Sequence, residues 1–124
     1  MPKLRHKIRW LREPEAQDYP AALSYLKLIH LPKTAKALVK RLRSARVTEF
    51  KAKDIFRASR LSLLGISNLH VTRDRRKIAR GESLSPLLLV RDPEHGGVVI
   101  ADGYHRLCAV YSYDEDALIP SKIV

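Results

Sequence analysis

Apolar residues recur every three to four positions in the first half of this chain and gather into short runs in the second half. The three-to-four-residue spacing predicts four amphipathic helices, with Asp18 and Thr48 as N-caps of the first and third and Gly81 as the stop of the fourth. Upstream, residues 1–17 alternate basic and apolar side chains, which predicts an extended arm or a short strand. The predicted helices are 18–31, 32–44, 48–59 and 72–80.

The short apolar runs predict a small sheet. Residues 87–90 and 98–101 flank the turn-forming segment 92–97, a pattern typical of a β-hairpin. Residues 118–124 predict a closing strand, and residues 61–71 predict a loop or an irregular strand because Gly65 and Asn68 interrupt them. We therefore predict an α+β fold with a small mixed sheet. Its basic, helical N-terminal segment (1–59) is expected to pack on a second unit (60–124).

One stretch, residues 98–111, organises the second half of the chain. Its strand is followed by Asp102-Gly103 and then by a fifth helix with apolar residues at helical spacing. Asp102 stands where the N-cap of that helix is expected. The first backbone N–H groups of such a helix lack intrahelical acceptors, and the helix dipole adds positive potential. Together with His105 and Arg106, they predict an anion site.

The side chains of this turn suit phosphate chemistry. Arg106 offers a planar, permanently charged fork for phosphate, and His105 exchanges protons near neutral pH. Asp102 can accept a proton from a hydroxyl group or hold a divalent metal ion. The structural alternative gives each residue a local role. Asp102 would only cap the helix, His105 would bond a backbone carbonyl, and Arg106 would pair with Asp114 or Glu115.

The positive charge of the chain is concentrated in its first half. Of 24 Lys and Arg and 13 Asp and Glu, residues 1–60 hold 16 and 5, so the whole net charge of +11 belongs to them. A basic surface of this kind attracts nucleic acid or an acidic protein. Lys36, Lys40 and Arg43 share one helix face and are the candidate nucleic-acid contacts. The alternative is that these side chains only solvate the outer faces of helices.

Composition narrows the class of protein further. Apolar residues make up 45% of the chain and charged residues 30%, as in a globular domain, and no apolar run is long enough to span a membrane. The single cysteine excludes an internal disulfide, and no His, Cys, Asp or Glu grouping has the spacing of a preformed metal site. We expect a cytoplasmic, bacterial-type protein without membrane contact. Its short C-terminal strand is suited to pairing across a homodimer edge.

The order of elements and the segments 84–90, 99–109 and 119–120 resemble the ParB/sulfiredoxin superfamily. In this superfamily, a strand of the form x-Pro-hydrophobic-Val precedes a strand that ends in Gly-x-x-Arg, and a helix and a closing strand follow. Free-serine kinases of the superfamily carry an Asp-Gly-x-x-Arg variant. The resemblance covers about residues 60–124 and does not extend to residues 1–59.

The resemblance implies binding of a nucleotide or another phosphate-bearing ligand, with phosphotransfer or nucleotide hydrolysis as associated reactions and a nucleotide with magnesium as the candidate cofactor. Gly103 and Arg106 match the phosphate-binding Gly-x-x-Arg, and His105 matches the histidine of the sulfiredoxin signature. Tyr104 stands where sulfiredoxin has its catalytic cysteine, which removes that activity, and it is counted with Gly103 and Arg106 as a candidate phosphate contact. Cys108, one helical turn on, is expected to be a small core residue.

Two departures separate the chain from partition proteins. Tyr104 and His105 replace the usual Glu-Arg pair, and a helix-turn-helix domain would be expected beyond Val124. His70 and Ser85 are additional candidate ligand contacts because both precede elements that end near the central turn in this fold. Their structural alternatives are a loop histidine and a serine that caps the approach to the next strand.

Overall fold

A computed structural model describes residues 7–65 and 68–124 of the chain. The described residues form an α+β fold, as predicted, with helices on both faces of a small mixed sheet. A short 3-10 turn, Pro93–His95, joins β2 to β3. The elements are α1 (Asp18–Ile29), α2 (Pro32–Ser44), β1 (Thr48–Lys51), α3 (Ala52–Ser59), α4 (Leu69–Ala79), β2 (Leu87–Asp92), β3 (Gly97–Asp102), α5 (Tyr104–Tyr113) and β4 (Leu118–Ile123).

The four strands lie in the order β1-β4-β2-β3. The pairs β1–β4 and β2–β3 are antiparallel, whereas β2 and β4 are parallel. The C-terminal strand β4 is therefore an internal strand with a neighbour on each side. It pairs with β1 over residues 118–121 and with β2 over residues 121–123, and the homodimer stays a prediction.

Each face of the sheet is covered by its own set of helices. Because side chains alternate along a strand, Leu87 and Leu89 of β2 pack with the buried residues of α3, α4 and α5. Leu88 and Val90 point to the other face and pack with those of α1 and α2. This arrangement buries the hairpin on both sides and places α2 across the sheet from α4 and α5.

The predicted third helix begins later than the sequence suggests. Residues 48–51 form strand β1, in which Phe50 pairs with Ile119 of β4, and the helix begins at Ala52. Thr48 is therefore a strand residue instead of an N-cap. Residues 48–51 form sheet hydrogen bonds with β4. The spacing of apolar residues within one segment does not reveal such a distant partner. The first 59 residues thus supply a strand of the common sheet as well as helices packed on it.

The fourth helix begins earlier than predicted, at Leu69, because Asn68 caps it. The Asn68 side-chain oxygen accepts hydrogen bonds from the backbone N–H groups of His70 (2.9 Å) and Val71 (3.2 Å). The predicted loop over 61–71 therefore ends at Asn68; residues 66–67 lie outside the described residues.

The predicted N-terminal arm is extended where it is described. Trp10 forms a parallel bridge with Leu84, and the N–H of Leu11 donates to the Leu84 carbonyl at 2.8 Å. Trp10 packs against the core on the α3–α5 face. Residues 1–6 of the predicted arm lie outside the described residues. This contact brings the segment that precedes α1 against the approach to β2.

Candidate functional site: the cleft beside the α5 N-terminus

A cleft of about 270 Å³ opens where α4 and the start of α5 face the segment before α1. We call it the α4–α5 cleft. It contains most of the site residues that the sequence predicts, drawn from segments far apart in the chain. The residues that line it are Glu15, Gln17, Asp18, Arg73, Asp74, Lys77, Ser83, Leu84, Ser85, Asp102, Gly103, His105 and Arg106.

The strand-to-helix turn depends on glycine at position 103. Gly103 has a φ of +109°, and a Cβ atom there would lie 2.8 Å from Cγ of Leu87 and 2.9 Å from Nη2 of Arg106. Any larger residue would therefore strain the backbone and collide with both neighbours. Because Gly103 has no side chain, the backbone of the turn can lie close to the Arg106 guanidinium.

Asp102 does not cap α5, contrary to the prediction. It is the last residue of β3, Gly103 occupies the N-cap position, and no side chain of the described residues caps the helix there. The first N–H groups of α5 consequently have no intrahelical acceptor, and the positive end of the helix dipole lies at the cleft.

Arg106 is held by Asp102 across the turn. Its Nη2 donates to Oδ2 of Asp102 at 3.0 Å and to the carbonyl of Pro86 at 3.3 Å, and both charged side chains are only 17% exposed. The alternative pairing with Asp114 or Glu115 is not observed. The Nε atom of Arg106 is buried and has no hydrogen-bond partner among the described residues. An unpaired buried donor is costly, and a ligand oxygen would satisfy it.

Burial governs the protonation of Asp102. Removal from water raises the pKa of its carboxyl, the ion pair with Arg106 opposes this rise, and the nearby charge of Asp18 adds to it. The carboxylate of Asp102 is thus engaged in orienting Arg106. Its predicted role as a proton acceptor has to compete with that ion pair.

The ring of His105, at the cleft, lies against the ring of His70, tilted to it by 40°. Their ring centroids are 4.7 Å apart, and Nη2 of Arg73 lies 3.2 Å from Nδ1 of His70. Burial lowers the pKa of His105, and the proximity of His70 lowers it further. A neutral His105 at pH 7 can accept a proton from a bound ligand or water.

Ser85 forms part of the wall of the cleft. Its hydroxyl donates to Oδ2 of Asp18 and accepts from the backbone N–H of Glu15 at 3.2 Å. Asp18 is 6% exposed and is the first residue of α1, with Gln17 at the N-cap position in place of the predicted Asp18. Both predicted residues therefore lie at the cleft, but their polar atoms bind each other and tie the segment before α1 to β2.

Tyr104 points away from the cleft. Its hydroxyl donates to the carbonyl of Ser62, and its ring packs against the core on the α3–α5 face. Cys108 is fully buried, as expected of a core residue, and burial raises the pKa of its thiol. Of the residues predicted at this motif, Asp102, Gly103, His105 and Arg106 face the ligand space, whereas Tyr104 anchors the start of α5 to the preceding loop.

The sequence identified His70 of α4 but not its neighbours Arg73, Asp74 and Lys77, which line the cleft. His70, Arg73, Asp74 and Lys77 are spaced i, i+3, i+4 and i+7, so they share one face of α4. The last three line the cleft, and the first covers the ring of His105. The signal was present in the spacing, but a helix predicted to begin at residue 72 leaves His70 outside it. Recognising Asn68 as the N-cap would have placed His70 inside the helix.

The basic residues of α2 lie elsewhere. Lys36 and Lys40 are exposed on the opposite face of the sheet from α4 and α5. The Arg43 guanidinium stacks over the ring of Tyr19 at 4.4 Å, and the Arg43 carbonyl accepts a hydrogen bond from Nζ of Lys122 at 2.9 Å. These residues form a separate surface and do not contribute to the cleft.

Comparisons with protein-family models, curated proteins and solved structures find no match for this chain. Within residues 7–65 and 68–124, no group of three or more His, Cys, Asp or Glu side chains is arranged to hold a metal ion. In the same part of the chain, every helix is too short or too polar to cross a membrane.

Proposed function

We propose that this protein binds a phosphate-bearing ligand, a nucleotide or a smaller phosphate compound, in the α4–α5 cleft, as a member of the ParB/sulfiredoxin superfamily. The observation that carries the proposal is the buried, unpartnered Nε of Arg106 beside the uncapped N-terminus of α5. Lys77 and Arg73 add two cations from α4. Helix N–H groups and arginine forks are the usual protein partners of phosphate oxygens.

We further propose that the protein catalyses phosphotransfer or nucleotide hydrolysis in this cleft. His105 is the candidate proton acceptor because burial favours its neutral form. A magnesium ion carried by the ligand phosphates would need only one or two protein carboxylates, and Glu15 and Asp102 line the cleft. Such ligands are cytoplasmic compounds, so cytoplasmic localisation is part of the proposal.

Thermal unfolding with a panel of nucleotides, inorganic phosphate and magnesium tests ligand binding. A ligand present at about 100 times its Kd stabilises the protein by roughly 2.7 kcal/mol, which appears as a rise of several degrees in Tm. We expect Lys77→Ala to reduce this rise. The matched control is Arg76→Ala, which removes the neighbouring exposed cation of α4 outside the cleft. Equal shifts in the two variants would contradict the proposal.

Arg106→Ala is the stronger variant and is expected to abolish the shift. Arg106 also holds Asp102 and the Pro86 carbonyl, so its fold is checked by circular dichroism. For the reaction, we expect phosphate release from a nucleoside triphosphate with magnesium and its loss in His105→Gln, while ligand binding persists in that variant. Turnover that is unchanged in His105→Gln would rule out His105 as the proton acceptor.

A second candidate, nucleic-acid binding by α2, rests on one observation. From Tyr19 to Thr48 the chain has no acidic residue, and Lys36 and Lys40 project from this stretch into solvent. Neutralising Lys36, Lys40 and Arg43 together is expected to weaken binding to duplex DNA, and the affinity of the native protein should fall steeply with salt. Binding that is insensitive to salt, measured by fluorescence anisotropy, would exclude this candidate.

A further inference from the structure

We infer that the ligand of the α4–α5 cleft is a hydroxyl-bearing phosphate ester, a polyol or sugar phosphate, recognised through its hydroxyl groups as well as its phosphate. The inference rests on the proposed phosphate binding and narrows it. It follows from the carboxylates of the cleft, which phosphate recognition alone does not explain.

Asp74 is the central observation. It lines the cleft, is only 5% exposed, and accepts no hydrogen bond and forms no ion pair with another described residue. Its electrostatic influence on His105, whose pKa it raises against the larger effect of burial, places it near that ring. Its carboxylate oxygens are not among the buried atoms left without a partner, so they open onto the space of the cleft, where a bound molecule can reach them. A ligand hydroxyl is the donor that would satisfy this carboxylate without adding negative charge beside it.

The neighbouring carboxylates explain why Asp74 is the acceptor for the ligand. Asp18 already accepts from the Ser85 hydroxyl and the Glu15 N–H, and Asp102 already accepts from Arg106. Asp74 therefore lines the cleft with an acceptor capacity that the described part of the chain does not use.

The donors of the cleft lie beside this acceptor. Lys77 is one helical turn from Asp74 on α4, and the unpartnered Nε of Arg106 comes from α5. Donors and an acceptor in one small site complement a ligand that carries both anionic oxygens and hydroxyl groups. The cleft holds three cations (Arg73, Lys77 and Arg106) and four carboxylates (Glu15, Asp18, Asp74 and Asp102), so a ligand that only adds negative charge leaves the carboxylates without donors, whereas hydroxyl groups can donate to them.

The cleft lacks the features that recognise a nucleobase. None of the described residues that line it is Phe, Tyr or Trp, and Leu84 is their one large apolar side chain. The ring of His105 is already faced by His70. Bases are commonly held by stacking on aromatic rings. Its volume of about 270 Å³ is below the roughly 300–1,000 Å³ of pockets that hold drug-sized ligands, and suits a phosphate on a short hydroxylated carbon chain.

Isothermal titration of the full chain with two matched ligands tests this inference. Glycerol 3-phosphate and n-propyl phosphate have the same charge and nearly the same size, but only the first carries hydroxyl groups. We expect glycerol 3-phosphate to bind at least about tenfold more tightly, since a site that hydrogen-bonds a hydroxyl discriminates against the analogue without it. Ribose 5-phosphate is expected to share the preference.

The variant Asp74→Asn tests whether Asp74 causes the preference for glycerol 3-phosphate over n-propyl phosphate. It is expected to reduce the difference between the two ligands while leaving n-propyl phosphate binding in place, and Asp54→Asn, an exposed carboxylate on α3, is the control. Equal binding of the two ligands by the native protein would overturn the inference and leave the phosphate site standing. Failure of inorganic phosphate, both esters and nucleotides alike to bind would overturn the proposed function as well.

Discussion

Nη2 of Arg106 lies 3.0 Å from Oδ2 of Asp102, so the last residue of a strand orients a side chain on the first turn of the following helix. Gly103 stands between them and leaves the space that this approach needs. The pair fixes the guanidinium at the wall of the cleft, with Nε left for another partner. The motif is thus a unit in which the carboxylate, the glycine and the arginine depend on one another.

Breaking this pair is expected to destabilise the protein. Asp102→Asn removes a charge-assisted hydrogen bond between two mostly buried side chains, and we expect a loss of about 1–3 kcal/mol in the free energy of unfolding. Urea denaturation at neutral pH measures it. Asp116→Asn is the control, because its ion pair with Lys53 is at the surface, with side chains 56% and 40% exposed. That control should cost much less, because exposed ion pairs contribute little to stability, and a cost equal to that of Asp102→Asn would contradict the structural role of the pair.

Replacing Gly103 is expected to damage both stability and the cleft. In Gly103→Ala the added Cβ meets Leu87 and Arg106 at a positive φ, and we expect a loss of about 2–4 kcal/mol. Gly65→Ala is the matched control, because nothing lies within 4 Å of a Cβ built there. It should change stability by no more than about 0.5 kcal/mol. Comparable unfolding midpoints for the two variants would show that the turn tolerates a side chain.

The pH dependence of His105 follows from its burial. We expect NMR to give His105 a pKa below the ordinary value of 6.5. His70→Gln should raise that pKa toward 6.5 because His70 contributes to the lowering. Below pH 6.5, the His105 side chain binds a proton more readily in the unfolded chain than in the folded one. The free energy of unfolding should therefore decrease as the pH falls below 6.5. His105→Gln should remove this component, and a pKa unaffected by His70→Gln would contradict the facing of the two rings.

Lys122 is expected to stabilise the far side of the sheet. It is only 3% exposed, and its Nζ donates to the Arg43 carbonyl at 2.9 Å and pairs with Glu13 at 3.1 Å. Lys122→Met keeps the side-chain length but leaves the carbonyl without this donor, and we expect a loss of about 1–2 kcal/mol. Lys36→Met, on the exposed face of α2, should have almost no effect. Similar losses in both variants would argue against this role.

Because Lys122 titrates, its contribution to the free energy of unfolding is expected to depend on pH. Burial opposes its charged form, but hydrogen bonds with Tyr19 and Glu13 outweigh burial and raise the pKa above its ordinary 10.5. The stabilisation is therefore complete below pH 10.5 and is lost as the pH rises through the folded-state pKa. The difference in stability between the native protein and Lys122→Met should grow as the pH falls through the folded-state pKa toward 10.5 and stay constant below pH 10.5.

The local pattern of the sequence was sufficient for most of the elements. Helical spacing predicted α1 and α2, the turn segment predicted the β2–β3 hairpin, and Asp102-Gly103 marked the turn at which the cleft lies. These features depend on residues close together in the chain, where period and turn chemistry act directly. Thr48 was misassigned because its strand is stabilised by β4, about seventy residues away.

The composition of the cleft was decided by tertiary structure. Asp74 and Lys77 became cleft residues only when α4 packed beside α5, and Asp18 only when the N-terminal arm joined Leu84. The sequence by itself determined the α+β class, the strand-to-helix turn and its Gly103–Arg106 motif. Packing decided which charges meet there and left the buried Nε of Arg106 without a partner among the described residues. Burial and long-range contact are set by the whole chain and not by any single segment of it.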